Sequence, residues 1–172
     1  MNELIHTTTS CLTEVYNSLK IISKRDSPIF TMNSLLHHIS RGVFVIRKVI
    51  KSDKVPAALG PYSVAIQTDS MVFTSGQVGF DPLTGDFVEG GIEEQTRQVL
   101  INLKHVLEDS GSDLDHVVKT TVFLQDMNDF VKMNAVYAEF FPKDSPARST
   151  VAVSGLPKGA LVEIETTALL RS

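Results

Sequence analysis

The 172-residue chain contains a single cysteine, Cys11, and no tryptophan. One cysteine excludes an intrachain disulfide and a zinc site built from cysteines, and it leaves the main body of the chain without a thiol nucleophile. No apolar run approaches the roughly 18 residues that a membrane-spanning helix needs, so we expect no membrane partner. The formal net charge is −4, and this lack of a basic excess argues against binding of nucleic acid through its phosphates.

Several sequence signatures of catalysis and cofactor binding are also missing. There is no glycine-rich phosphate-binding loop, no dinucleotide fingerprint and no ligand spacing typical of a metal site, since the pair His37-His38 alone is too little. His105 and His116 are expected on a helix and at the entry of a strand, far from Ser75, so no nucleophile–base triad is predicted. The chain is 42% hydrophobic and 21% charged, which suits one globular domain with an appendage.

The pattern of the chain changes near residue 45. Residues 46–172 have the pattern of one acidic domain, with 11 basic and 17 acidic residues before its last two positions. Residues 1–45 form an N-terminal extension, and its last part, 32–45, contains Arg41, two serines and no acidic residue. That composition is typical of a mitochondrial transit segment. A disordered or loosely docked extension without an address fits equally well, so we expect a mitochondrial or cytoplasmic protein.

Hydrophobic periodicity divides the domain into strands and two helices. Helical spacing over 92–107 predicts a first helix with a left-handed end at Gly111, and a second helix runs from Met127 to Phe141 after a cap at Asp126. The order β-β-β-α-β-α-β-β predicts an α+β fold in which both helices cover one face of a mixed sheet. Alternating apolar residues predict strands over 45–52, 62–68, 71–75, 117–124, 148–153 and 161–169.

Alternation along the last strand puts Glu163 and Glu165 on the sheet face that the helices leave uncovered. Arg148 alternates with its neighbours in the same way one strand earlier, so we expect the arginine and both carboxylates to share this face. An exposed face with weak ion pairs, each contributing about 0–1 kcal/mol, would have the same pattern. Apolar and small residues on this face suggest a subunit contact, where a partly buried carboxylate would have a perturbed pKa suited to acid–base chemistry.

Four positions have both a structural and a functional interpretation. Arg148, which follows Pro146-Ala147 at the mouth of an apolar strand, either reaches solvent or holds a small carboxylate with its planar fork. Asn134 lies on the apolar face of its helix, where its amide either bonds a loop carbonyl or forms a site wall. Tyr62 follows a rigid turn and either packs or lines a site. Ser75-Gly76 is either a tight turn or a place where the backbone approaches a ligand.

These pieces in this order resemble the reactive-intermediate deaminase family, also called the YjgF or liver perchloric-acid-soluble protein family. The resemblance covers Ile46–Leu169 and combines T-S-G-Q, P-A-R-S and E-I-E. It implies a chorismate-mutase-like (ferredoxin-like) fold in a homotrimer whose sheets form an inner β-barrel, with sites in the clefts between subunits. The segments that carry it are GPYSVAIQTD, FTSGQVGFDPLTGDFVEGG, VVKTTVFLQDMNDFVKMNAVYAEFF, SPARSTVAV and LPKGALVEIETTAL.

The resemblance also implies an activity: hydrolysis of reactive 2-enamines and 2-imines, such as 2-aminoacrylate, to 2-keto acids and ammonia, without a cofactor or a metal. By the same motifs, Arg148 would hold the substrate carboxylate, and Glu163 would position or activate water and shuttle protons. Ser75-Gly76 would contact the substrate through its backbone or hydroxyl. Tyr62 and Asn134 would line the cleft, from the same or a neighbouring subunit.

Two features depart from the family pattern. Thr150 stands where many relatives have a cysteine two residues after the arginine, so no thiol-based role is expected there. The N-terminal extension lies outside the family body.

Two other functions remain open. One is an endoribonuclease or translation inhibitor, against which the acidic domain argues. The other is a non-enzymatic small-carboxylate-binding regulator that uses the same cleft.

Overall fold

A computed structural model describes residues 47–58 and 60–171, which belong to one compact unit, Val45–Ser172. The expected N-terminal extension, residues 1–45, and its candidate transit segment lie outside the described residues. Within the described part of the chain, no helix is both long and apolar enough to cross a membrane.

The strands of the described residues form one mixed sheet in the order β1-β2-β3-β7-β5-β6, and β4 pairs with β7 beyond the end of β3. β5 and β6 are parallel, and the other pairs are antiparallel. A helix connects β5 to β6, as a parallel pair requires. The strands are β1 (Lys48–Ile50), β2 (Ala65–Gln67), β3 (Met71–Thr74), β4 (Gln77–Val78), β5 (Val117–Leu124), β6 (Ala147–Ala152) and β7 (Val162–Leu169).

Two α-helices of the described residues, α1 (Ile92–Asp109) and α2 (Phe130–Phe140), cover one face of this sheet. α1 ends because Gly111 takes the left-handed conformation, with φ of 79°, and its N–H group bonds back to the last turn. The Asp126 side chain accepts a hydrogen bond from Asn128 N at 2.9 Å and so starts the short turn that leads into α2. The end of α1 thus follows from local capping chemistry, whereas Asp126 caps only the preceding turn and α2 itself begins at Phe130, three residues after the predicted start.

The hydrophobic core lies between the helices and the covered face of the sheet. Alternate residues of β5 and β7 point into it, and one stripe of α1 packs against them. Burying each aliphatic side chain stabilises the fold by about 1.5–3 kcal/mol relative to its exposure. The fully buried aliphatic residues of these three elements are Val99, Leu100, Leu103, Val106 and Leu107 on α1, Val122 and Leu124 on β5, and Val162 and Ile164 on β7.

The predicted α+β fold, a mixed sheet with two helices on one face, is confirmed. The strands at the start of the sheet differ most from the prediction, and β2 covers only Ala65–Gln67 where 62–68 was expected. β1 ends at Ile50, because Ser52 turns away and donates a hydrogen bond to Asp109 at the end of α1 (2.6 Å). The two-residue strand β4 was not predicted. The strand pattern breaks at Ser75-Gly76, and pairing resumes only when the chain reaches the middle of β7.

The expectation that Arg148 shares a sheet face with Glu163 is wrong. β6 pairs with β5 in a register that puts Arg148 level with Thr120, which is fully buried beneath the helices. Glu163 is level with Phe123, which lies out of phase with Thr120 on the same strand. Arg148 therefore points to the helix-covered face and Glu163 to the uncovered face. Alternation along one strand cannot reveal this, because the register with its neighbour decides which face a residue takes.

Candidate functional site

A hollow of about 440 Å³ opens where β3 gives way to β4, and we call it the Glu163 hollow. One wall is formed by apolar loop residues, and its floor carries two carboxylates from β7. Four of the six predicted site residues line it. The lining residues that matter here are Tyr62, Ser75, Gly76, Gln77, Glu163 and Glu165.

The carboxyl group of Glu163 lies directly against the backbone of Gly76. A Cβ atom added at Gly76 would lie 2.6 Å from Glu163 Cδ and would overlap Oε1. Gly76 is therefore required for close approach rather than for an unusual backbone angle. The break between β3 and β4 supplies this gap in the side-chain layer and gives the carboxylate its position.

Burial raises the pKa of the Glu163 carboxyl group above its ordinary value, and the neighbouring Glu165 carboxylate raises it further. Among the described residues, no hydrogen-bond donor pairs with the Glu163 carboxyl group to stabilise its charged form. A carboxyl group with a raised pKa and no hydrogen-bond donor among the described residues can both accept and return a proton more readily than an ordinary carboxylate. Glu163 therefore has the electrostatics of a general acid–base residue.

Ser75 offers the hollow an acceptor rather than a donor. Its hydroxyl donates a short hydrogen bond to the Ser63 carbonyl oxygen (2.6 Å), so only its lone pairs remain for a ligand. Gln77 is buried next to it, and its amide donates to the Gly76 carbonyl oxygen at 3.3 Å. Tyr62 is half exposed at the rim. Polar contacts in this hollow therefore suit a ligand that carries N–H groups.

A second hollow of about 270 Å³ lies between α2 and the start of β6, and we call it the Arg148 hollow. It contains the other two predicted site residues, and none of its lining residues lines the Glu163 hollow. The lining residues that matter here are Asn134, Tyr137, Phe141, Ser145 and Arg148.

The guanidinium group of Arg148 is held by neutral groups. Its Nη2 donates to Asn134 Oδ1 at 2.7 Å, and its Cζ lies 4.5 Å from the centre of the Tyr137 ring and 5.7 Å from that of Phe130. In the described part of the chain, no carboxylate lies within ion-pair distance of it. A half-buried arginine without a counter-ion is a ready receptor for an anion, because its planar fork matches a carboxylate.

The sequence prediction thus identified residues that the fold collects into two groups instead of one. Asn134 bonds Arg148 rather than a loop carbonyl. Tyr137 and Phe130, two residues of this helix that were not predicted as site residues, lie against the arginine. Their spacing from Asn134, three or four residues along the helix, could have identified them in the sequence. The position of Thr120 beside Arg148 could not be found in this way, because it depends on the register between β5 and β6.

Neither hollow contains a recognisable metal centre. Among the described residues, no group of three or more histidine, cysteine, aspartate or glutamate side chains is arranged to hold a metal ion.

A family model described as Endoribonuclease L-PSP matches residues 52–170, more than half of the chain. The chain belongs to this family, the reactive-intermediate deaminases. A mouse member, named 2-iminobutanoate/2-iminopropanoate deaminase, is 50% identical over 125 residues, which cover 73% of this chain and 93% of the mouse protein.

Another member of the reactive-intermediate deaminase family reaches further towards the N-terminus. The Arabidopsis thaliana protein named Reactive Intermediate Deaminase A, chloroplastic, is 43% identical over 160 residues, 93% of this chain and 82% of that protein. This alignment is longer than the domain itself and therefore includes part of the N-terminal extension.

The fold matches solved structures of the family. The structure of Escherichia coli TdcF with bound serine superposes with a TM-score of 0.69 at 40% identity, and the match covers 73% of this chain and 99% of TdcF.

Proposed function

We propose that this chain is a 2-iminobutanoate/2-iminopropanoate deaminase, which hydrolyses small 2-imino and 2-enamino acids to 2-keto acids and ammonia. One observation carries the proposal. The fold holds an arginine without a counter-ion in one hollow and a carboxyl group with a raised pKa in another. A small acid that needs both carboxylate recognition and proton transfer would use the two together. The deaminase name of the mouse relative and the serine bound to TdcF support a substrate of this size and charge.

In the proposed reaction, Arg148 holds the substrate carboxylate and Glu163 moves protons. An enamine first gains a proton on its β-carbon and loses one from its nitrogen, which converts it to the imine. Water then forms a bond to the imine carbon and gives a proton to the Glu163 carboxylate, while the C=N π electrons become a nitrogen lone pair. Glu163 returns the proton to that nitrogen. The carbinolamine then collapses: its hydroxyl proton moves to the nitrogen, the C=O bond forms, and the C–N bond breaks to release ammonia. Ser75 Oγ accepts an N–H hydrogen bond in the intermediate.

The two hollows share no lining residue, so we propose that the site is completed between subunits. Arg148 and Asn134 of one subunit would meet Glu163, Ser75, Gly76 and Tyr62 of its neighbour. The uncovered face of the sheet suits such an assembly, because it presents an exposed apolar surface of the kind that marks interfaces. A homotrimer with its sheets inside would bury the exposed apolar residues of this face, which are Val49, Phe73, Val151 and Leu169.

The test generates 2-aminoacrylate in situ and follows the release of pyruvate and ammonia. Removing one member of a buried charged pair costs about 2–5 kcal/mol, so Arg148→Ala is expected to lower kcat/KM at least roughly 30-fold. The matched control is Arg97→Ala, which removes an arginine exposed on α1 and paired with Glu139. If Arg148→Ala keeps the wild-type rate while the assembly stays folded, Arg148 does not hold the substrate.

The same preparation separates the two other functions. An endoribonuclease would bind RNA with an affinity that falls steeply with salt. A non-enzymatic regulator would bind 2-keto acids but release no ammonia above the uncatalysed rate. We expect neither result.

For the subcellular localisation, we propose that residues 32–45 direct the protein to mitochondria. If this segment is not cleaved, the protein stays in the cytoplasm. The alignment of the Arabidopsis relative over part of this extension supports an organellar role. Mass spectrometry of the mature N-terminus would decide, and a cytosolic protein that begins near Met1 would contradict import.

A further inference from the structure

Tyr137 connects the buried core to the guanidinium group of Arg148. Its ring lies beneath Arg148 Cζ at 4.5 Å, and its hydroxyl is hydrogen-bonded to the Thr120 hydroxyl at 2.9 Å. Both Tyr137 and Thr120 are almost completely buried. Thr120 is also the residue of β5 that is level with Arg148 in the sheet. Each of the three residues therefore contacts the other two: Arg148 and Thr120 are neighbours in the sheet, Thr120 and Tyr137 share a hydrogen bond, and Tyr137 lies against the Arg148 guanidinium group.

Packing alone does not explain this arrangement. A phenylalanine would fill the same space against Phe141, whose ring centre lies 4.7 Å from that of Tyr137. The hydroxyl instead requires a buried partner, and Thr120 supplies it where a valine would fit the core equally well. The hydroxyl pair holds the ring in place, and Arg148 Cζ in turn lies over that ring.

The contacts of Arg148 leave a defined set of donors for a ligand. Arg148 Cζ lies over the ring of Tyr137, and Asn134 accepts from Nη2. The remaining N–H groups of the fork have no partner among the described residues. A carboxylate can bind them only in the plane of the guanidinium group, because two parallel hydrogen bonds require coplanar partners. The orientation of that plane therefore fixes the orientation of the ligand.

We propose that Tyr137, held by Thr120, is a positioning residue that sets the plane of the Arg148 guanidinium group for carboxylate binding. The proposal rests on the proposed function in so far as the carboxylate belongs to the substrate. Tyr137 itself touches no reacting atom. Its effect should appear in substrate affinity, with kcat changed much less, since the arginine contacts the carboxylate equally before and during the reaction.

The experiment compares Tyr137→Phe, Thr120→Val and the double variant in the assembled full-length protein. Each single variant is expected to raise KM for 2-aminoacrylate and Kd for pyruvate about tenfold, with kcat within about twofold of wild type. The double variant should match the single variants in Kd, because the two hydroxyls act as one unit. In stability, the double variant should recover much of what either single variant loses, because no buried hydroxyl is left unpaired.

Side-chain NMR of Arg148 in the ligand-free protein gives a readout independent of turnover. The Nε–Hε signal, assigned by its loss in Arg148→Lys, should shift or broaden in Tyr137→Phe and in Thr120→Val. The matched control is Ser112→Ala, which removes another buried hydroxyl, bonded to Leu169 O at 2.7 Å on a different part of the sheet. It should change stability but neither the Arg148 signal nor the Kd for pyruvate.

Three outcomes would overturn the positioning role. The first is an unchanged Arg148 signal and pyruvate Kd in both single variants. The second is a double variant that regains wild-type affinity along with stability, since that would mean a purely structural pair. The third is an equal loss of affinity in Ser112→Ala. If wild type releases no ammonia but the single variants still alter the Arg148 signal and anion affinity, the proposed function fails while the positioning role stands.

Discussion

The two hollows hold opposite charges by opposite means. In the Glu163 hollow, burial and a second carboxylate disfavour the charged form of the acid, and no described donor offsets this. In the Arg148 hollow, an amide oxygen and two aromatic rings contact the guanidinium group. Among the described residues, the Glu163 carboxyl group thus has no hydrogen-bond donor and the Arg148 guanidinium group has no carboxylate partner. This favours a ligand or a neighbouring subunit that provides both partners.

The two hollows also differ in how the fold builds them. The Glu163 hollow forms because Gly76 has no side chain at the point where the pairing partner of β7 changes from β3 to β4. The Arg148 hollow is lined by side chains of α2 that contact β5 and β6 through Tyr137 and Asn134. We therefore expect the first to be sensitive to added atoms and the second to removed atoms.

The largest effect should follow from removing Glu163, the proposed proton carrier. Glu163→Gln keeps the shape of the side chain but abolishes its acid–base function, and we expect kcat to fall about 10²–10⁴-fold. Glu165→Gln removes a carboxylate from the same face and strand, and it should lower kcat less than about tenfold. Steady-state pyruvate release measures both. A larger loss in Glu165→Gln would transfer the catalytic role to that residue.

Mixing two inactive variants tests whether the hollows work together across subunits. Arg148→Ala and Glu163→Gln chains, co-expressed with different tags and purified as mixed assemblies, should regain about a third of wild-type activity in a symmetric trimer. Each mixed trimer has three interfaces, and one of them pairs an intact arginine with an intact glutamate. Each variant alone should remain inactive. Mixed assemblies that stay as inactive as their parents would mean that one chain supplies the whole site.

The sequence predicted the local features of this fold but not the contacts between distant residues that form the two hollows. The end of α1 at Gly111 and the capped turn after Asp126 depend on neighbouring residues, so local rules were sufficient there. The pairing of Arg148 with Asn134 joins a strand to a helix, and the sequence offered both residues but not their contact. The face taken by Arg148 was predicted wrongly, because it depends on the register of β6 with β5, a contact between distant parts of the chain.

An added methyl group should affect the Glu163 hollow selectively. Gly76→Ala places a Cβ where the Glu163 carboxyl group lies, and this flexible group will move rather than the backbone. We expect the protein to fold and kcat to fall about 10–100-fold, since a displacement of about 1 Å is costly in a positioned site. Gly155→Ala is the matched control, because its added Cβ meets nothing within 4 Å. Equal activity of the two variants would show that the contact with Gly76 does not place the catalytic carboxylate.

The smallest effect concerns stability, and its sign depends on pH. The raised pKa of Glu163 means that the folded protein holds a proton that the unfolded chain releases at a lower pH, near its ordinary pKa of 4.5. Wild type therefore loses stability as pH rises through the window between 4.5 and the raised value, and above that window the loss is complete. Glu163→Gln does not titrate, so its Tm should exceed that of wild type at pH 7–8 by roughly a few degrees at most, because water still reaches part of the carboxylate. Below the window, the difference should disappear.

Scanning calorimetry from pH 4 to pH 8 at fixed protein concentration measures this difference, with the exposed Glu89→Gln as a control for the loss of one charge. A Glu163→Gln variant that is less stable than wild type at pH 8 would mean that an unseen donor stabilises the carboxylate. Its pKa would then be lowered, and the contrast with Arg148 would no longer hold. A higher Tm combined with lost turnover would show that the folded chain gives up stability to keep this carboxylate in place for the reaction.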